Sequence, residues 1–177
     1  MGVYISEVTF QDWSGPLLKL GSALDLALAE RNLPLFMPEP RAPDRVFEEK
    51  LIPSMEGFAD LFGPAQEESL DWDMVIPIDF AGSIVLPVPS SHSGITTIRS
   101  AHRLLEATRS LADRIGLPAE VPIEPTNLAL TSWSLHAERP DGPAGLGRDR
   151  LDAVFYIAVF LRAAERSIQH DCAIQVT

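Results

Sequence analysis

The chain has 177 residues, is 46% hydrophobic and 22% charged, and carries a net charge of −11. That hydrophobic content excludes an intrinsically disordered chain, and the length suffices for one domain, residues 1–177, whose core needs no metal or disulfide to hold it. A lone cysteine, Cys172, excludes an intrachain disulfide and a cysteine-based zinc cage, and the acidity excludes a protein that binds nucleic acid or anionic membrane by charge.

The opening MGVYISEVTF has no basic start followed by an apolar stretch, so it does not read as a secretory signal. The longest nearly uncharged apolar run, Ala153 to Leu161, falls well short of the roughly 18 residues a membrane span needs. Together with the lone cysteine this predicts a soluble, cytoplasmic protein. Twelve arginines against two lysines suggest a GC-rich, bacterial coding sequence.

Val3 to Phe10 alternates well enough to predict a strand. Asp12 or Ser14 is placed to cap a helix starting near Pro16, whose leucines cover most of its surface. Leu33 to Pro43 holds four prolines and reads as an extended connection. Phe47, Leu51, Met55, Phe58 and Phe62 recur at helical spacing, which predicts a helix from Asp44 to about Phe62 that Pro53 kinks, followed by an acidic loop to Asp71.

Met74 to Phe80 and Ser83 to Val88 flank Ala81-Gly82, the pattern of a tight antiparallel hairpin. A polar turn, Ser90 to Gly94, then leads into a helix predicted over Ile95–Ile115. Its second face, with Arg99, His102, Arg103, Glu106, Arg109 and Asp113, reads as solvated surface. Gly116 and Pro118 end that helix. A strand over Asn127–His136, a glycine-rich loop over Ala137–Gly147, a helix over Arg148–Ile168 and a strand over Cys172–Val176 complete the chain. The 148–168 helix is apolar on all sides at its centre and is predicted to be the most buried.

These elements predict an α/β domain: a mixed sheet of about five strands, one antiparallel hairpin and a mostly parallel remainder, packed by about four helices, with a two-layer α+β arrangement as the alternative. No sequence motif specifies a reaction. The P-loop and dinucleotide patterns are missing from the 142–147 glycines, the Ser90–Gly94 turn lacks the first glycine of a nucleophile elbow, and the histidines share no metal-ligand spacing. No cofactor or metal is therefore expected, and the balance favours a non-catalytic protein.

Two surfaces remain as candidates. From Asp44 to Asp79 the chain carries ten acids against Arg45 and Lys50. An immunity-like or antitoxin-like protein would use such a surface to engage a basic protein partner, through Glu48, Glu49, Glu67, Glu68, Asp71 and Asp73 with Trp72 as an aromatic anchor. Solubility alone also explains the acidity. The alternative is an enzyme or small-ligand module binding a phosphorylated or carboxylated metabolite on a rim at the carboxyl ends of parallel strands. That rim gathers Asp12, Ser91, His92, Ser93, His136 and Arg148, with helix capping as the plain explanation of the serines.

Overall fold

The computed structural model describes residues 2–36, 38, 47–53, 55, 58, 60, 71–90, 94–122, 128–137 and 148–177. In chain order these form β1 (Val3–Glu7), α1 (Phe10–Ser14), α2 (Leu18–Glu30), β2 (Glu48–Leu51), β3 (Met74–Ile76), β4 (Ile84–Leu86), β5 (Thr96–Ser100), α3 (Ala101–Ile115), α4 (Ala129–Ala137), α5 (Arg148–His170) and β6 (Ile174–Val176). The α/β class holds.

The sheet has six strands in the order β2-β1-β6-β3-β5-β4, and only β3 and β5 are parallel neighbours. The mostly parallel sheet predicted from sequence is thus corrected to a mostly antiparallel one. Strand alternation sends Val75 to one face and Met74 and Ile76 to the other, and two cores follow from it. One joins Ile5, Val75 and Ile174 to α3, α4 and α5. The other joins Met74, Ile76, Ile84 and Ile98 to Leu20, Leu24 and Leu28 of α2. Helices therefore cover both faces.

As its composition predicts, α5 is buried all round from Leu151 to Leu161. It lies between the sheet and its helical neighbours, with Phe58 stacked at 5.6 Å on Tyr156 and Trp72 packed at 5.4 Å on Phe160. At the outer edge of the sheet, β2 is closed by α4: Leu128 N–H donates to the Glu48 carbonyl at 2.8 Å and Lys50 N–H to Thr131 Oγ1 at 2.9 Å. An edge strand whose outward groups are paired in this way offers no template for another chain.

Three predicted elements are different in the structure. The 48–51 segment is a strand, because pairing of Glu48 to Leu51 with β1 overrides a helical spacing carried by its aromatics. Residues 129–137 form a helix, which buries Leu130, Thr131 and Ser134. The 95–115 helix splits: Thr96, Thr97 and Ile98 are β-branched and continue the sheet, and only at Ser100 does the helix begin, its hydroxyl accepting from Arg103 N–H at 3.4 Å.

That split also undoes the predicted hairpin. β5 inserts between β3 and β4, so the hairpin is β4 with β5, pairing Leu86 with Thr96 and Ile84 with Ile98. The 77–83 connection must then step over a strand, a span of about 10 Å at ordinary strand spacing. It does so across the carboxyl end of β5, placing a loop directly beside the start of α3.

Candidate strand-end cleft

Strands β1, β3 and β5 run in one direction and β2, β4 and β6 in the other. The carboxyl ends of β1, β3 and β5 therefore share one edge of the sheet, with α1, the 77–83 loop and α3 following them. The 87–95 connection between β4 and β5 emerges at the opposite edge. Of the predicted rim, Asp12 follows the carboxyl end of β1 in α1, while Ser91, His92 and Ser93 belong to the connection between β4 and β5. Those three residues lie outside the described ones.

The described rim residues belong to three different helices. Asp12 is engaged locally in a capping box, its Oδ2 accepting from both Thr9 N–H and Thr9 Oγ1 at 2.7 Å. His136 is exposed in the last turn of α4, on a helix and not at a strand end. Arg148 opens α5.

The acidic candidates divide in the same way. Glu67 and Glu68 lie outside the described residues, Asp71 is exposed and Glu48 is half-buried. Glu49 is fully buried, facing inward beneath α4: Oε1 accepts from Leu130 N–H at 2.9 Å, and Oε2 from Thr131 N–H at 2.8 Å and Thr131 Oγ1 at 2.7 Å. Its carboxylate caps a helix from a neighbouring strand and offers nothing to a partner. Trp72 is buried against Phe160, so it is a core residue. Asp73 lengthens the β3–β5 pairing, its Oδ2 accepting from Thr97 N–H at 2.7 Å.

The structure assembles a different constellation at the carboxyl end of the parallel pair. Ala81 and Gly82 of the crossing loop, Arg99 and Ser100 at the end of β5, and Arg103 and Leu104 of α3 line a cleft of about 340 Å³. That volume lies at the lower end of the range of small-molecule sites. Gly82 has φ of 72°, a left-handed conformation that glycine adopts without strain where the loop turns down into β4.

Its two arginines are in unlike states. Arg103 is held on both sides: Nε lies 2.9 Å from Asp79 Oδ1, Nη2 donates to Asp79 Oδ2 at 3.2 Å, and Nη1 is 3.4 Å from Glu106. Arg99 has its Nε–H buried with no hydrogen-bond partner among the described residues. A buried donor without an acceptor is costly, and Arg99, which also lines the cleft, carries that cost without an ion pair among the described residues to offset it.

Two other concavities lack this convergence. The groove between Trp13 and Phe36 is mainly apolar, and Arg109 in the hollow at the end of α3 is paired with Glu165 at 3.4 Å. Among the described residues no group of three His, Cys, Asp or Glu could hold a metal ion, and no helix is long and apolar enough to cross a membrane.

Sequence reasoning missed this cleft by placing Arg99 and Arg103 on the solvated face of one helix. The signal that finds it is the β-branched run Ile95 to Ile98 ahead of Ser100, which marks a strand end and a helix cap. Comparison of the chain with known protein families, curated proteins and solved structures returns no match, so its own geometry is the basis for a function.

Proposed function

We propose that this protein is a small-ligand module that binds a carboxylate-bearing or phosphate-bearing metabolite in the cleft between the 77–83 loop and the start of α3. The observation that carries the reading is Arg99, a guanidinium with an unpartnered Nε–H, in the lining of a concave site at the carboxyl ends of parallel strands. Guanidinium groups match carboxylate and phosphate oxygens in geometry as well as charge. Ala81 and Leu104 supply apolar wall for the ligand's body.

A basic protein partner for the acidic segment has weaker support. Of the residues it relied on, Glu49 and Trp72 are buried and Asp73 is hydrogen-bonded within the sheet, which leaves the half-buried Glu48 and the exposed Asp71 among the described ones.

Isothermal titration of the purified chain with sodium butyrate and with inorganic phosphate tests the cleft reading. At least one of the two binds, and Arg99→Gln, which puts a neutral amide at about the level of Nε and removes the charge, weakens that binding by about tenfold or more, as loss of a charge-assisted contact does. Binding unaffected by Arg99→Gln, or no binding of either anion, would contradict the reading.

A further inference from the structure

The charges around the cleft restrict which anion it takes. Arg103 is already forked onto Asp79 and flanked by Glu106, so those carboxylates offset its charge and Arg99 is left as the cleft's available cation. Asp79 lies in the loop that forms the cleft wall, two residues before Ala81 and three before Gly82, and its side chain stays about half exposed while it holds Arg103 of the cleft lining. The chain as a whole carries −11. A second negative charge on the ligand would therefore meet Asp79 and Glu106 instead of a second free guanidinium, and like charges set side by side are strongly disfavoured.

We infer that the cleft selects singly charged carboxylates with a short apolar body over multiply charged anions such as phosphate monoesters and dicarboxylates, and that Asp79 sets this preference. The inference rests on the cleft being a ligand site. The ligand's one carboxylate lies against Arg99, its hydrocarbon lies against Ala81 and Leu104, and Asp79 both occupies Arg103 and repels further charge. Asp79 is thus a specificity-determining residue that acts through Arg103 and through its own charge.

The test is the ratio of butyrate to phosphate affinity, with succinate as a third probe, measured by titration calorimetry on the whole chain. Wild-type protein binds butyrate at least about tenfold more tightly than phosphate or succinate. Asp79→Asn releases Arg103 and tightens phosphate binding by about tenfold while leaving butyrate within about twofold, and Asp79→Glu restores the original order. Glu106→Gln moves the ratio the same way by a smaller factor, which keeps the test open if Asp79→Asn folds poorly. Equal weakening of all three probes in Asp79→Asn would mean that Asp79 only braces the loop, and would overturn the inference while leaving the cleft intact. Tight, Arg99-dependent phosphate binding by wild-type protein would also overturn it. No Arg99-dependent binding of any probe removes the cleft reading and this inference together.

Discussion

Glu49 is the residue that most changes its meaning between sequence and structure. In the sequence it is one acid of a charged stretch; in the fold it is a buried carboxylate that holds the first turn of α4 against β2. Burial pushes its pKa above the usual value of 4.5, against the opposing pull of hydrogen bonds from Thr131, Leu130 and Ala129. Replacing it with alanine strands two backbone amides and a hydroxyl, and we expect a loss of about 2–3 kcal/mol in urea unfolding. A raised carboxyl pKa means that the folded state holds the proton more tightly than the unfolded one. The stability linked to that proton is complete below the unfolded value and is lost as pH rises through the folded value. The stability of wild type relative to Glu49→Gln should therefore decline as pH rises above 4.5, measured by urea unfolding across that range. A relative stability that rises with pH would show that hydrogen bonding to the carboxylate outweighs burial.

At the scale of elements, α5 was the most legible and the β3 to α3 region the least. An apolar surface on every side dictates burial whatever the neighbours are, so Ala153 to Leu161 could be read correctly from composition alone. Tyr156 reports on that burial: desolvation, with Asp152 one turn away, lifts its phenol from 10 to about 12, and its hydroxyl donates to the Pro53 carbonyl at 2.7 Å. The chain has two tyrosines, so alkaline titration of phenolate absorbance should show one group delayed to about pH 12, and Tyr156→Phe should remove that late step. The stability tied to this shift is intact below pH 10 and disappears as pH rises through about 12. Absence of a late step would mean that water reaches the ring. Short strands are harder to read, since β3, β4 and β2 have three or four residues each and their pairing is decided by distant segments. The Ala81-Gly82 turn is where a hairpin signal would sit, yet β5 takes the place beside β3 that the hairpin would have given to β4.

For the whole molecule, the site is a product of strand order, which sequence patterns do not specify. Inserting β5 between β3 and β4 forces the 77–83 loop across the end of β5, and that crossing brings Asp79, Ala81 and Gly82 to Arg99, Ser100 and Arg103. The alternation of strands and helices pointed to an open sheet, and so to strand ends as the place to look for a site. Which strand ends come together was not legible: that depends on β5 standing between β3 and β4, and residue patterns alone do not reveal that order. The proposed preference for a singly charged anion rests on the chain's negative charge and on Arg99 as the unpaired arginine of the cleft among the described residues. The most direct measurement is a nitrogen–proton correlation spectrum of the labelled chain, with arginine Nε–H signals assigned, followed through a butyrate titration. The Arg99 Nε–H signal should move to lower field and saturate together with the amide signals of Gly82, Ser100 and Arg103, as a new hydrogen bond forms in the cleft. An unmoved Arg99 signal, or shifts centred elsewhere on the molecule, would contradict the assignment of this cleft as the binding site.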